Sequence, residues 1–146
     1  MKTFRIFTVV PVGLTMSLLL TQSSFAQPPQ PPTTKIKNPL DIDPITLTGI
    51  SGGQAKTDCG YTSTTPSQVI EVTEPLPYLQ LTVEAEGQPT LLVEGPGGRF
   101  CVLGNDDIAS KPKHSGYWTV GKYSVYVGEL SKQKYNYTIS ISQHQK

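Results

Sequence analysis

What is scarce in this 146-residue chain removes several classes of function at once. Histidine occurs only at 114 and 144, which leaves little for proton transfer or metal ligation. Cysteine occurs only at 59 and 101, too few and too far apart for a thiolate metal knot. There is no excess of one charge: 12 Lys and Arg face 11 Asp and Glu, a formal net charge of +1. The electrostatic footprint of a nucleic-acid or anionic-membrane binder is therefore missing. Beyond residue 26 no stretch shows a helical period, and no glycine loop is followed by the helix and Lys-Ser/Thr that a phosphate cradle needs.

Only one long apolar run exists, from Ile6 to Leu20, and Pro11 and Gly13 interrupt it. It is shorter than the ~20 apolar residues of a spanning helix. Lys2 and Arg5 precede it, and Ser24-Phe25-Ala26 follows with small residues where signal peptidase accepts them. Residues 1–26 are thus expected to be an export signal, cleaved before Gln27, leaving no membrane span in the mature chain. Residues 27–44, "QPPQPPTTKIKNPLDIDP", are rich in proline. Proline lacks an N–H and fixes φ, so an extended linker is expected there. Residues 45–146 remain as a single domain.

What is abundant in that domain is alternation. Apolar residues two apart occur at 45–48, 68–73, 79–85, 123–127 and 135–141. "TLLVE" and "RFCVL" flank the turn Gly95-Pro96-Gly97-Gly98. Successive strand side chains point to opposite faces, so these are half-buried strands punctuated by Gly and Pro. Seven or eight such strands predict an all-β, two-layer antiparallel β-sandwich. Two cysteines in an exported chain pair as a disulfide, and Cys59–Cys101 would clip an early segment onto the return strand of the 90–103 hairpin.

Three segments carry a family resemblance: "PTLLVEGPGGRFCV" (89–102), "GYWTVGKYSVYVGE" (116–129) and "YNYTISIS" (135–142). Pro96-Gly97-Gly98, then Gly121 to Val127, then Tyr137 to Ile141 resemble the hairpin, the late "G-x-Y-x-V-x-V" strand and the final strand of the bacterial pre-peptidase C-terminal domain. The resemblance covers the C-terminal half. It implies a small jelly-roll-like β-sandwich with an accessory, non-catalytic role alongside secreted peptidases. The cysteine pair is not a general feature of that family.

Three constellations bear on chemistry. Gly49-Ile50-Ser51-Gly52-Gly53 has the spacing around a chymotrypsin-like nucleophile. A serine nucleophile needs a base with an orienting partner. His144 lies in the C-terminal tail and His114 lies in a Lys-flanked loop, so Ser51 is expected to bond locally in a glycine turn and the chain not to be an enzyme. Asn105, Asp106 and Asp107 supply oxygen donors of the kind calcium prefers, and Asp41 and Asp43 are further donors. Some relatives in the resembled family bind calcium through such segments, but adjacent Asn and Asp are also ordinary turn formers, so no cofactor is expected and calcium is the candidate to test. Tyr126 falls on the outward side of its strand by alternation, Tyr117 faces the opposite way from Trp118, and exposed aromatics of this kind stack on sugars or pack on proteins. Together these features predict an exported, non-catalytic binding or accessory module of a bacterial envelope or secretome. It would be periplasmic or secreted and contact an extracytoplasmic protein or polysaccharide rather than nucleic acid. The alternative is a self-associating envelope or matrix component that uses exposed strand edges.

Overall fold

A computed structural model describes residues 26–104 and 111–145 together with Gly13, and among these residues there are strands and no helix. No helix among them is long and apolar enough to cross a membrane. The strands are β1 (Thr33–Ile36), β2 (Ile45–Ile50), β3 (Ala55–Thr57), β4 (Gly60–Thr62), β5 (Gln68–Val72) and β6 (Leu76–Ala85). They continue with β7 (Pro89–Gly95), β8 (Gly98–Leu103), β9 (Lys113–Trp118), β10 (Gly121–Glu129) and β11 (Asn136–Ser142).

Two sheets form from them. The smaller has four strands in the order β2-β11-β6-β9. The larger has seven: β10 at its centre, β7 and then β8 on one side, and β5-β1 and β4-β3 on the other. Period two in the sequence becomes a shared dry layer. Leu79, Leu81 and Val83 of β6, with Tyr137, Ile139 and Ile141 of β11, meet Leu91 and Val93 of β7 and Tyr123, Val125 and Val127 of β10. Most of these side chains have no solvent exposure. Full burial of one such aliphatic side chain stabilises by about 1.5–3 kcal/mol. Gln68, itself buried, crosses the layer: its Nε2 donates to the Tyr137 hydroxyl (3.0 Å) and to the Thr48 carbonyl (3.2 Å).

One edge of β10 is divided between two strands. Residues Gly121 to Val125 pair with β5, whereas Glu129 pairs with Tyr61 of β4. The gap between them leaves backbone groups of Val127 without a strand partner, and buried backbone groups need one. Ser67 Oγ accepts from the Val127 amide (3.0 Å), and the Gly52 amide donates to the Val127 carbonyl (3.0 Å). Glu129 closes the same end. It is 1% exposed, and its carboxyl group accepts from the Gln88 amide (3.0 Å) and from the Ser131 amide and hydroxyl (3.3 Å each).

The N-terminal boundary differs from the expected linker. Residues 33–36 are strand β1, which pairs in parallel with β5, so the sandwich is not wholly antiparallel. Ile36 and Leu40 are buried against the core. The Pro39 and Pro44 that argued for an open tether lie outside this strand, and Pro28 to Pro32 lie before it, so the ladder loses no donor to them. Strands β3, β4 and β9 are also additions to the expected set. Residues 105–110, and with them Asn105, Asp106 and Asp107, lie outside the described residues, as do almost all of residues 1–26.

The disulfide joins Cys59 and Cys101, with Cα atoms 5.7 Å apart and a sequence separation of 42. Cys59 sits in the β3–β4 turn, a tight hairpin rather than an irregular segment, and Cys101 in β8. The turn covers the outer face of β7, where Thr90 and Leu92 are buried. Thr90 Oγ1 donates to the Cys59 carbonyl (2.7 Å), and Arg99 makes a two-pronged pair with Asp58 (3.0 and 2.6 Å). Closing a loop of roughly 43 residues removes about 4 kcal/mol of unfolded-state entropy in the chain-entropy model.

Two outcomes follow for stability. Replacing both cysteines by serine is expected to cost about 2–5 kcal/mol and to lower Tm by roughly 10–20 °C in calorimetry. Glu129→Ala strands the Gln88 and Ser131 amides, and is expected to cost roughly 2–4 kcal/mol by urea unfolding. Glu129→Gln retains an acceptor oxygen and should cost less.

Candidate functional site

The site is built where the open edges of the two sheets meet. β8 ends the larger sheet and β9 ends the smaller, and the β7–β8 and β9–β10 turns lie together at one end of the sandwich. Gly121, at φ +147°, packs its backbone against the Pro96 ring; a Cβ there would approach the Pro96 Cγ to 2.5 Å. That close approach keeps the two turns in contact.

Alternation then assigns the side chains. In β8, Phe100 and Val102 face the other sheet while Cys101 faces outward to the clip. In β9, His114 and Trp118 face the same way. The rings form a chain: Phe100 is stacked on His114 at 4.7 Å, His114 meets Trp118 edge-on at 5.8 Å, and Trp118 tilts against Tyr123 at 4.4 Å. Trp118 is 2% exposed, whereas Phe100 remains 42% exposed. Beside this chain lies a cavity of about 440 Å³, bordered also by Gly97 and Tyr117. The Tyr123 hydroxyl donates to the Thr119 carbonyl (2.9 Å) and fixes the β9–β10 turn. Burial pushes the Tyr123 phenol up from its usual range.

Burial also lowers the pKa of His114, which sits between two aromatic rings and has no ion pair among the described residues. The site therefore presents a neutral imidazole at pH 7. It offers ring faces and one polar edge, the composition of a binding surface.

The sequence-predicted residues separate in space. Tyr117 borders the cleft and is 66% exposed. Tyr126 does not border it: it lies half-buried on the outer face of the larger sheet, opposite Leu92, with burial and the Glu94 carboxylate raising its pKa. Ser51 is fully buried. Its Oγ accepts from the Tyr135 amide (3.2 Å), and its own amide donates to the Tyr135 carbonyl (2.8 Å). It is a clamp between the β2–β3 and β10–β11 loops. His144 lies elsewhere, 3.6 Å from Asp43. Of the two further acids, Asp41 pairs with Lys37 (3.1 Å) and Asp43 accepts from the Gln143 amide (2.9 Å). Among the described residues no group of three or more His, Cys, Asp or Glu converges on one point.

Phe100 and His114 were not among the expected contact residues. The signal for both was present: His114, Gly116 and Trp118 are two apart, as are Phe100 and Val102. Lys111, Pro112 and Lys113 just before His114, and Gly116 within the segment, hid the strand.

The folded state holds His114 neutral, so the unfolded chain binds more protons below the ordinary value of 6.5. Stability should accordingly be full above that pH and fall as pH drops from about 6.5 through the lowered folded pKa. His114→Gln should flatten the Tm-versus-pH profile between about pH 5 and pH 7. Asp58, held low chiefly by its hydrogen bond to Arg99, contributes in a separate window, lost as pH falls below 3.8.

No family model matches the chain. The crystal structure of the pre-peptidase C-terminal domain of a collagenase from Bacillus anthracis is similar to it at 14% identity with a TM-score of 0.45, covering 80% of this chain and 100% of that one. It is the domain that the C-terminal motifs resemble. An uncharacterized protein of Synechococcus elongatus is 39% identical over 102 residues, a match that spans 67% of this chain and 75% of the relative. At that identity and coverage, the chain belongs to the family of this Synechococcus elongatus protein.

Proposed function

We propose that the chain is an exported, non-catalytic binding module and that the aromatic cleft between β8 and β9 is its contact surface. The observation that carries this reading is Phe100: its ring is stacked on the His114 imidazole, yet the residue stays 42% exposed and borders a cavity that Trp118 also lines. An aromatic residue held rigid and left partly wet is how flat, apolar ring faces are recognised. The ligand class that fits is a sugar ring of an extracytoplasmic polysaccharide, or an aromatic side chain of a protein partner. The disulfide supports an oxidising compartment, and the charged, apolar and small-residue order of residues 1–26 supports export through the envelope.

A structural role has one observation in its favour. β2 is an edge strand, and Ile50 at its end is 62% exposed, a free template for pairing between copies. Sedimentation over rising concentration separates the two: a binding module stays monomeric, and an envelope polymer does not.

The sole tryptophan, Trp118, walls the cleft, so its emission reports entry of a ligand. Titration with cello-, chito- and xylohexaose is expected to give a saturable shift with at least one. Phe100→Ala with Tyr117→Ser should raise its Kd by roughly tenfold or more without lowering Tm. No shift with any hexaose, or an unchanged Kd in the double variant, would remove glycans from the cleft.

A further inference from the structure

The opposite end of β10 carries a second depression, and its chemistry is different. A cavity of about 590 Å³ is lined by Gly53, Gln54, Lys56, Tyr61, Lys132 and Lys134. Eight steps along a strand separate the two ends of β10, roughly 27 Å, so this cavity and the aromatic cleft are independent. We infer that it binds an acidic polysaccharide, through a carboxylate or sulfate carried on a pyranose ring.

The charge pattern is the first reason. Of the nine Lys and Arg among the described residues, four pair with an acid: Lys35 with Glu71, Lys37 with Asp41, Arg99 with Asp58 and Glu94, and Lys111 with Glu84. Of the other five, Lys113 shares a depression with Glu84, and Lys122 stands opposite Glu71 in the ladder. Among the described residues, none of Lys56, Lys132 and Lys134 has such a pair, and no carboxylate lines the cavity. The nearest acid in the ladder, Glu129, is buried with its carboxyl group committed to the Gln88 and Ser131 donors. Three like charges gathered without a counter-ion repel one another, and a bound anion relieves that repulsion. The whole chain carries only +1, so the attraction is local rather than a field of the entire molecule.

The second reason is that the frame is rigid. Lys132 and Lys134 sit on the β10–β11 loop, and that loop is tied at both ends. Ser131 bonds to Glu129, the Gln133 amide donates to Ser131 Oγ (3.2 Å), and Tyr135 is clamped by Ser51. On the facing loop, Gly52 adopts φ +77° and Gly53 lies directly against the Thr62 carbonyl, where a Cβ would collide. The Gly-x-Ser-Gly-Gly run therefore brings two lysine-bearing segments together and holds them. Fixing the cations in advance lowers the ordering cost of binding.

The third reason selects the ligand. Tyr61 presents an aromatic ring inside the cluster, with the Lys132 Nζ 5.9 Å from its centroid. A ring surface beside amines suits a charged sugar, which offers C–H faces and an anion on one unit. The volume falls within the ~300–1,000 Å³ of small-molecule sites, enough for more than a single inorganic anion.

The test is calorimetric titration of the intact protein with polygalacturonate, chondroitin sulfate, neutral dextran, polyglutamate and inorganic phosphate at about 50 mM salt, repeated near 300 mM. Binding of either acidic polysaccharide, weakened by salt and absent for dextran, is expected. Preference between the two assigns carboxylate or sulfate. The Lys56→Gln/Lys132→Gln/Lys134→Gln variant should raise Kd by roughly tenfold or more with Tm unchanged. Tyr61→Leu should weaken the polysaccharide and leave polyglutamate unaffected. Phe100→Ala/Tyr117→Ser should have no effect, which separates this site from the aromatic cleft. The inference is overturned if neither polysaccharide binds, if polyglutamate or phosphate binds as tightly, if the lysine variant binds normally, or if the cleft variant loses binding equally.

Discussion

The interrupted edge of β10 is the constraint on which the rest of the molecule depends. Its inward side chains, Tyr123, Val125 and Val127, supply the middle of the dry layer, so the strand must run unbroken. Its outer edge must serve both β5 and β4. A continuous core with a divided edge leaves the backbone of Val127 exposed to the cost of an unmade hydrogen bond, about 1–3 kcal/mol for each group. Ser67 and Gly52 fill that gap from two separate loops. The fold closes because polar groups outside the sheet complete what the sheet cannot.

That completion determines what stands at each end. Where β10 begins, the turn after Trp118 is held by the Tyr123 hydroxyl, and the β8 and β9 edges part to leave ring faces in the open. Where it ends, Glu129, Ser131 and Ser51 fix the loops, and the exposed product is amine-rich. The disulfide acts between these ends. It fastens the β3–β4 turn over β7 and so buries the outward Thr90 and Leu92, which a bare sheet face would leave wet. An otherwise marginal two-layer sandwich thus gains a third layer over a small area.

The strands with clean alternation were readable because burial on one face writes period two into the chain. That holds for β2, β5, β6, β10 and β11, whereas β7 and β8 were readable from the Gly95-Pro96-Gly97-Gly98 turn between them, and Cys59 with Cys101 from being the two cysteines of the chain. The short strands escaped: β3 and β4 have three residues each, too few for a period, and β9 mixes Lys113, His114 and Gly116. β1 was hidden by the prolines around it, although Ile36 alone marked a buried position. Neither site was visible for a different reason. Phe100 and His114 meet only because two sheet edges adjoin, and Lys56 meets Lys132 only because Ser51 clamps Tyr135. Such juxtapositions belong to topology, which no local pattern records. Tyr126 shows the converse error: alternation placed it outward correctly, but outward on this sheet is half-buried beside Leu92.

The divided edge is tested most directly by native-state hydrogen exchange followed residue by residue. The amides of Val125, Val127 and Gly52 should exchange together at the slowest rate, through global unfolding, since one closed network contains all three. Exchange of Val127 and Gly52 far faster than Val125 would show that the gap is open to water and that β10 does not bind the two loops, contradicting the account.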